Sequence, residues 1–303
     1  MAKNTSPLHG PVGHEIHKPI QGITFMVLGI GALTTMDAIA KTLFQQGISP
    51  FQILGLRLFI VIPVILAVYS LRGQIHELKT TRLKFQIIRG CIGFGAPFCF
   101  FLSLKYLPLS DSIVTSYSSI LMITALSYFV LKEHVGIHRW AAVVVGFIGV
   151  YIAVRPSGEG QILGYILVFI AALSYAVLLI SARILARTES VGSLVFYFNL
   201  CVGTIGLCFT PFVWHPLTLV TALMIAALGL MALAGHFCLA FAISRSQTSV
   251  IAPFEYTSII WAVIIEWTIW QYLPAQQTLI GGAIIICAGI YVIYRENLRN
   301  RVK

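Results

Sequence analysis

Two carboxylates of this 303-residue sequence stand inside long apolar stretches, where few charged side chains occur. Asp37 lies within 22–43 and Glu255 within 248–270. An ionised carboxylate in hydrocarbon costs at least about 2.5–3.5 kcal/mol, so each needs a compensating charge or a water-filled cavity. Lys41 follows Asp37 by one helical turn and could pair with it, which would make Asp37 part of a local charge pair near the helix end. We predict instead that Asp37 and Glu255 bind a substrate cation and carry ion or proton coupling.

Aromatic and hydroxyl side chains in other apolar stretches indicate the wall of such a cavity. Residues 115–119 form a polar run, whose hydroxyls either bridge neighbouring helices or line the cavity. Aromatic rings can stack on an aromatic or cationic substrate. A histidine in mid-helix is either a hydrogen-bonded packing residue or a ligand. The predicted substrate-binding residues are Asp37, Lys41, Tyr117, Tyr175, His236, Phe254, Glu255, Tyr256 and Trp261.

For two further charged residues, Arg57 and Glu266, the alternatives are a position inside the bundle and one near the membrane surface. Arg57 stands among apolar residues, where its stem either snorkels outward or its guanidinium balances Asp37. Glu266 is followed by Trp267 and Trp270, and tryptophan is enriched at membrane–water interfaces. We therefore expect an interfacial position for Glu266.

The elements that must position these residues are membrane-spanning helices. The sequence is 58% hydrophobic and only 10% charged, whereas soluble domains are about 25% charged. A helix needs about 20 apolar residues to cross a bilayer, and continuous apolar runs without alternation favour helices. The predicted fold is an all-α integral membrane protein with ten spans, at 22–43, 50–71, 84–106, 109–131, 138–154, 162–184, 191–213, 218–243, 248–270 and 277–294.

The net charge of +10 is a topology signal in such a protein, rather than a sign of nucleic-acid binding. Most of its 20 Lys and Arg residues fall on one side of the predicted spans. Positively charged loops face the cytoplasm, so both termini should be cytoplasmic in a multi-pass protein of the bacterial inner membrane. The exceptions are Lys41, Arg57, Lys105 and Arg155.

The sequence also contains an internal repeat. Residues 93–131 align with 232–270 at an offset of 139, and Tyr117 falls on Tyr256. Chance similarity between apolar segments is the alternative. Five spans is an odd number, so the second copy must enter the membrane in the opposite sense, and inverted repeats of this kind underlie alternating access. The predicted organisation is a cytosolic tail at 1–21, a first five-helix repeat at 22–155, a second at 160–295 and a basic cytosolic tail at 296–303.

Several short stretches, taken in order, resemble the EamA-type members of the drug/metabolite transporter superfamily. They are Leu-Lys-Tyr-Leu-Pro at 104–108, Leu-Lys-Glu at 131–133, Val-Gly-Phe-Ile-Gly at 145–149 and Ala-Pro-Phe-Glu-Tyr at 252–256. Within that superfamily, Asp37-x-x-x-Lys41, Arg89-Gly90 and His138-Arg139-Trp140 are most similar to bacterial S-adenosylmethionine uptake carriers. The resemblance implies an EamA-like fold and transport of S-adenosylmethionine or a related amino-acid-like cation.

We therefore predict a secondary active transporter that moves a small organic metabolite by alternating access, surrounded by membrane lipid. No nucleotide-binding Gly-x-x-x-x-Gly-Lys-Ser/Thr run occurs in the sequence. Transport must therefore be driven by an ion gradient, by exchange for another metabolite or by the substrate gradient itself. The alternative is an exporter or exchanger of an aromatic amino acid, riboflavin or an organic anion. A coupling proton is one expected partner, and nucleic acid is not.

A membrane-embedded enzyme is a more distant alternative. The sequence has no His-Glu-x-x-His, Gly-x-Gly-Asp or Asp-Asp-x-x-Asp run and no serine nucleophile elbow, so we expect no enzymatic activity and no cofactor. The six cysteines lie within spans and lack paired spacing, which favours apolar packing over disulfides or metal ligation. His14 and His17 lack the spacing of a zinc hydrolase, so no metal site is predicted.

Overall fold

The computed structural model describes residues 19–132, 136–154, 161–186, 188–246 and 248–301, and these residues contain helices and turns but no strand. The predicted tail at 1–21 lies outside the described residues up to residue 18, and residues 302–303 of the C-terminal tail do so too. The α-helices are α1 Pro19–Gln45, α2 Pro50–Leu56, α3 Leu58–Leu71, α4 Leu83–Ser103, α5 Leu109–Ser116, α6 Ser118–Leu131, α7 Ile137–Ala153, α8 Gln161–Leu185, α9 Val191–Phe209, α10 Leu219–Arg245, α11 Thr248–Ile251, α12 Thr257–Trp270 and α13 Gln276–Arg301.

The all-α membrane fold predicted from the sequence is confirmed. Within the described part of the chain, seven helical segments are long and apolar enough to cross a bilayer. They are Ile20–Gln45, Pro50–Leu71, Leu83–Ser103, Leu109–Leu131, Gln161–Leu185, Val191–Phe212 and Leu219–Arg245. Two more apolar helices, Trp140–Ala153 and Gln276–Val292, are shorter. The ninth predicted span, 248–270, is divided into α11, a 3₁₀ turn at Ala252–Tyr256 and α12.

Breaks inside helices recur at equivalent places in the two halves. The junction between α5 and α6 lies at Tyr117, and Tyr256 directly precedes α12. Both boundaries of α12 lie 139 residues after those of α6, and the two helices have the same length of 14 residues. Each ends on a non-glycine residue in the left-handed region, Lys132 with φ 54° and Gln271 with φ 53°. The repeat seen in the sequence is therefore also a repeat in backbone geometry.

Helix packing obeys the same repeat. Each of two contacts between helices has an equivalent in which the two halves are exchanged. The α1–α10 contact corresponds to the α8–α4 contact, the α1–α12 contact corresponds to the α8–α6 contact, and all four occur. The pairs α7–α13, α5–α12 and α2–α9 each join helices of equivalent spans. The helices of one half thus pack mainly on those of the other, which is the arrangement of two inverted five-helix repeats.

Glycines allow close helix approach where the halves cross. A Cβ placed on Gly235 of α10 would lie 3.0 Å from the carbonyl oxygen of Gly29 in α1. A Cβ placed on Gly149 of α7 would lie 3.0 Å from the carbonyl oxygen of Gly281 in α13. Small residues of this kind let membrane helices gain packing energy, since lipid offers no hydrophobic driving force between them.

The bundle has two ends, because consecutive spans run in opposite directions. One end, which we name the Asp111 end, contains the C-terminus of α1, the α4–α5 connection and the α12–α13 connection. The other, the Glu189 end, contains the α3–α4 and α8–α9 connections. Both ends and the centre between them carry charged side chains, which define the candidate site.

Candidate functional site

A group of polar side chains from both halves lies at the centre of the bundle. Arg57 stands at the junction of α2 and α3, is 8% exposed, and its Nη2 donates to Asn199 Oδ1 of α9 at 3.3 Å. Asp37 of α1 and His236 of α10 both interact electrostatically with Arg57. Asp37 and Arg57 interact electrostatically but form no ion pair within 4 Å, so neither charge is taken up by a direct bond between the two. We call Asp37, Arg57, Asn199 and His236 the central polar group.

The hydrogen bond of His236 determines which ring nitrogen can face a ligand. Its Nδ1 lies 2.5 Å from the carbonyl oxygen of Ala232, one turn earlier in α10. A carbonyl oxygen only accepts, so Nδ1 donates this bond and Nε2 is the accepting nitrogen of the neutral ring. The His236 side chain is exposed even though it lies in mid-span, and Asp37 is half-buried. Ionisable side chains in mid-membrane usually face the bundle interior or a water-filled cavity, and the contacts of the central polar group with one another fit that placement.

A second group contains the predicted tyrosines and Glu255. The rings of Tyr117 and Tyr256 lie 4.9 Å apart, and these residues occupy equivalent positions in the repeat. The Tyr117 hydroxyl donates to the Glu255 backbone carbonyl at 3.0 Å and hydrogen-bonds with the Ser258 hydroxyl. Tyr175 is 44% exposed and interacts electrostatically with Glu255, whose side chain is also exposed. The structure therefore brings these predicted residues together beside the axis that relates the halves.

The other two predicted aromatic residues pack against α1. Trp261 Nε1 donates to the Val27 carbonyl at 3.2 Å, and its ring fills the space beside Gly31. Phe254 packs with a small apolar cluster around Met26. These contacts join α1 to the α11–α12 span, whereas contact with a substrate stays a prediction for both side chains.

The interfacial depth expected for Glu266 stays a prediction, but its side chain lies inside the bundle and pairs with a cation that sequence spacing had assigned to Asp37. Glu266 is fully buried, and its Oε1 lies 2.9 Å from Lys41 Nζ. Lys41 thus pairs across the bundle with Glu266 and does not form the pair with Asp37 that helical spacing suggested. The ammonium also lies 4.7 Å from the centre of the Trp270 ring, which adds a cation–π contact. A partner 225 residues away in sequence leaves no trace in local spacing, which is why the sequence did not reveal it.

The Glu266 carboxylate also caps α5. Its Oε1 accepts the Leu109 N–H, and its Oε2 accepts the Ser110 N–H at 3.0 Å and the Ser110 hydroxyl at 2.6 Å. The first N–H groups of a helix lack internal partners and carry partial positive charge, so a carboxylate there is doubly stabilised. Glu266 consequently connects α1, α5 and α12 at the Asp111 end.

Sequence reasoning missed Asp111 and Asn199. Asp111 is 8% exposed in the first turn of α5 and lines a cavity of about 360 Å³ together with Tyr272, Gln277 and Thr278. Burial raises the pKa of Tyr272, and the nearby carboxylates of Asp111 and Glu266 raise this pKa further. The presence of an acidic residue in an apolar span was the available signal for Asp111. Nothing in the sequence marked Asn199.

Repeated apolar helices, helix breaks at equivalent positions and charges gathered at the centre from both halves define a multi-pass membrane transporter as the class of protein. The profile of the EamA-like transporter family matches residues 20–155 and 162–295. The chain belongs to the EamA-like transporter family, as the resemblance in its sequence predicted.

Named relatives are transporters of small molecules. An S-adenosylmethionine uptake transporter of Rickettsia bellii is 27% identical over 275 residues, which cover 91% of this chain and 94% of the relative. A riboflavin transporter of Vibrio cholerae is 24% identical over 288 residues, covering 94% and 97%. A pseudopaline exporter of Pseudomonas aeruginosa is 26% identical over 209 residues, covering 67% and 72%.

A solved structure has the same fold. It superimposes with a TM-score of 0.62 at 18% identity, covering 93% of this chain and 98% of that chain. Family membership and the relatives together identify a transporter of small metabolites embedded in the membrane, and they point away from an enzyme.

Proposed function

We propose that this chain is a secondary active carrier for S-adenosylmethionine or a related amino-acid-like cation, working by alternating access in the bacterial inner membrane. The observation that carries the proposal is the central polar group. It combines Asp37 and Arg57 from the first half with Asn199 and His236 from the second half. A ligand bound there touches both repeats, so movement of one repeat against the other changes its access.

The charges of the central polar group suit an amino-acid substrate. A carboxylate such as Asp37 attracts an ammonium or sulfonium, and a guanidinium such as Arg57 binds a carboxylate through paired hydrogen bonds. The two groups interact without a direct ion pair, which leaves each available to one end of a zwitterion. The Rickettsia relative's name supports an S-adenosyl compound as cargo.

The tyrosine group offers a place for the aromatic part of the cargo. Tyr175 is exposed and interacts with Glu255, as Tyr256 of the ring pair also does, and aromatic faces bind flat or cationic groups. In this proposal Phe254 and Trp261 contribute by holding the helix that carries these rings. The same surface favours an alternative cargo such as riboflavin, which the name of the Vibrio relative supports. Transport direction follows the substrate gradient and its coupling.

Closure of the Asp111 end is the step that the Lys41–Glu266 pair would control. The pair joins α1 of one half to α12 of the other and caps α5. With both termini in the cytoplasm, as the Lys and Arg distribution predicts, this end faces the periplasm. We propose that the pair holds the carrier closed to the outside and separates when the outward-facing state forms. Asp37 and Glu255 remain the candidate groups for proton coupling.

Ligand-induced stabilisation and transport together test the central polar group. Purified protein is screened by thermal shift against S-adenosylmethionine, its decarboxylated analogue, methionine and riboflavin, since a specific ligand stabilises the folded state. Uptake of each stabilising compound is then measured in proteoliposomes. We expect Arg57→Gln to weaken binding of the carboxylate-bearing compound by about tenfold or more and to spare the decarboxylated analogue. Asp37→Asn should weaken both.

The matched control is Arg245→Gln, which removes a cation whose guanidinium is exposed and bonded to Gln21. Uptake by this variant should equal that of the unchanged protein. Unchanged uptake of every tested compound by folded Asp37→Asn and Arg57→Gln would refute the proposed site. Proton coupling is tested separately by measuring uptake under an imposed pH gradient with the unchanged protein and with Glu255→Gln. If uptake by the unchanged protein does not respond to the gradient, coupling through either carboxylate is excluded.

A further inference from the structure

The cavity at the Asp111 end contains a carboxylate that the transport site does not use. Asp111 is 8% exposed and lines the cavity of about 360 Å³, and its Oδ1 has no hydrogen-bond partner in the described part of the chain. The Thr278 hydroxyl interacts with the same carboxylate. A buried acceptor without a donor is costly, so this oxygen requires a group that the protein does not supply.

The charges around Asp111 do not balance. Glu266 and Lys41 both face it, but these two neutralise each other at 2.9 Å. Glu266 also accepts hydrogen bonds from Leu109 and Ser110. Lys41 and the first residues of α5 therefore bind Glu266 and do not neutralise Asp111. When all three side chains are ionised, Asp111, Glu266 and Lys41 together carry one net negative charge. A single positive charge would balance it.

The lining of the cavity suits a small cation. Besides Asp111, the side chains of Tyr272, Gln277 and Thr278 provide oxygen atoms, and Ala153 and Ala275 provide apolar wall. Carboxylate, hydroxyl and amide oxygens are the ligands of hard cations, and they also accept hydrogen bonds from an ammonium group. The volume accommodates an alkali ion with its remaining waters or a small organic amine.

Two more unpartnered hydroxyls extend from the cavity toward the middle of the bundle. Thr115 Oγ1 and Ser118 Oγ are buried and have no hydrogen-bond partner among the described residues. With Asp111 they occupy positions i, i+4 and i+7, which fall on one face of the α5–α6 span. Buried hydroxyls of this kind are normally satisfied by ordered water, so a hydrated path from the cavity toward Tyr117 accounts for Thr115 and Ser118.

We propose that the cavity at the Asp111 end is a binding site for a monovalent cation, with the Asp111 carboxylate as its charged ligand and the Thr278 hydroxyl beside it. The bound group is Na⁺ or the ammonium of a small amine. The site is distinct from the central polar group and does not depend on the identity of the transported metabolite.

Direct binding to the purified full-length protein tests the proposal without a transport assay. Radiolabelled Na⁺ and radiolabelled methylammonium are titrated separately, and thermal stability is measured in NaCl, methylammonium chloride and N-methylglucamine chloride at equal ionic strength. We expect saturable binding of one small cation and a thermal midpoint above that in N-methylglucamine. Na⁺ binding identifies an alkali-ion site, and methylammonium binding alone identifies an amine site.

The variants separate this site from general charge effects. Asp111→Asn should weaken binding by about tenfold or more and abolish the thermal shift, because it removes the charged ligand. Thr278→Val should weaken binding in the same direction and provides a second test if Asp111→Asn does not fold. Glu77→Gln, which removes one negative charge at the Glu189 end, should bind like the unchanged protein.

Two results would overturn the proposal. One is the absence of saturable binding of either cation to the unchanged protein, and the other is equal affinity in folded Asp111→Asn. Neither result bears on the metabolite screen with Arg57→Gln, so failure of this site and failure of the proposed function are distinguishable.

Discussion

Carboxylates inside the bundle are stabilised in different ways, and the difference relates to what each can do. Glu266 is fully buried with an ammonium at 2.9 Å and three donors from the start of α5. A carboxylate with so many fixed partners is suited to hold helices together. Asp37 has a longer-range interaction with Arg57 and retains exposure, so it has capacity to bind another group.

Removing Lys41 tests the structural role of Glu266. Lys41→Met should lower the free energy of unfolding in detergent by about 3–5 kcal/mol, because it leaves the Glu266 carboxylate buried without its counter-charge. The double variant Lys41→Met/Glu266→Met should lose less than the sum of the single losses, since the second change then removes an unpaired charge. Thermal and denaturant unfolding of the four proteins in the cycle provides the measurement.

Lys105→Met is the control for this cycle, because Lys105 lies at the same end but is exposed. Its effect on the free energy of unfolding should be small. Additive losses in the cycle, or a loss from Lys105→Met as large as that from Lys41→Met, would contradict a coupled buried pair.

How far the site could be predicted also depends on single residues. Asp37 and Glu255 were identifiable because a charge in an apolar span is energetically costly whatever the packing of the helices. The partner of Lys41 was not identifiable, since helical spacing favoured Asp37 and the true partner is 225 residues away. Tyr117 and Tyr256 were found as repeat equivalents, but their ring contact depends on packing between the halves.

At the scale of elements, adjacent glycines of α13 differ in what they face. A Cβ on Gly281 would clash with the Gly149 carbonyl and lie 2.7 Å from the Ala153 backbone nitrogen. A Cβ on Gly282 would lie 3.4 Å from Val114, which is ordinary contact. Backbone atoms cannot rotate away, so only the first position requires glycine for the α7–α13 crossing.

Gly281→Ala should therefore reduce the free energy of unfolding by about 1–3 kcal/mol through overpacking. Gly282→Ala is the matched control one residue away and should be neutral or stabilise by up to about 1 kcal/mol, since alanine favours helix. Thermal unfolding of both variants in the same detergent gives the comparison. Equal destabilisation by the two substitutions would rule out close packing specific to Gly281.

The Glu189 end contains a connection whose stability depends on pH. The Thr81 N–H and hydroxyl donate to Glu189 Oε1 at 3.0 and 2.7 Å, and the Ser193 hydroxyl donates to Oε2 at 3.3 Å. Burial acts to raise the pKa of Glu189, but hydrogen bonds from Thr80, Thr81 and Ser193 outweigh it and lower this pKa below its ordinary value. The carboxylate thereby ties the α3–α4 connection to the start of α9.

Because the folded-state pKa of Glu189 is lowered, its contribution to stability is fully present above its unfolded-state pKa. That contribution decreases as the pH falls through the folded-state pKa. We expect Glu189→Gln to be less stable than the unchanged protein near pH 7 and the difference to narrow on acidification. Unfolding is measured across this pH range, with Thr81→Val as a variant that should show a smaller loss of the same sign. A difference independent of pH would contradict the role of the ionised carboxylate.

The helices were predictable because a bilayer demands about 20 apolar residues whatever the neighbours are. Their internal breaks were not, since the junction at Arg57 and the turn at Ala252–Tyr256 form within continuous apolar runs. The crossings also follow from packing between the halves. The glycine pair Gly29 and Gly235 belongs to helices far apart in the chain, and local patterns do not register such partners.

At the scale of the whole molecule, the Lys41–Glu266 pair breaks the symmetry between the repeats. The equivalent of Lys41 in the second half is Ser181, and the equivalent of Glu266 in the first half is Ser127. The α6–α8 contact that carries these serines corresponds to the α1–α12 contact. An ion pair therefore joins the helices at the Asp111 end, whereas the equivalent positions toward the Glu189 end carry only hydroxyls. In an alternating-access carrier this asymmetry should favour the state closed at the Asp111 end.

Replacing the pair with the residues of the other half should shift that equilibrium. In a background without the six native cysteines, Leu109→Cys reports opening, because Leu109 is fully buried beside Glu266. Adding Lys41→Ser/Glu266→Ser should raise its rate of labelling by a membrane-impermeant maleimide by about tenfold, which corresponds to a shift of about 1.4 kcal/mol. Lys105→Cys, exposed at the same end, should be labelled at the same rate with and without the pair. Equal labelling of Leu109→Cys in two folded backgrounds would mean that the pair serves packing alone, since a lock that biases two conformations must change their populations when it is removed.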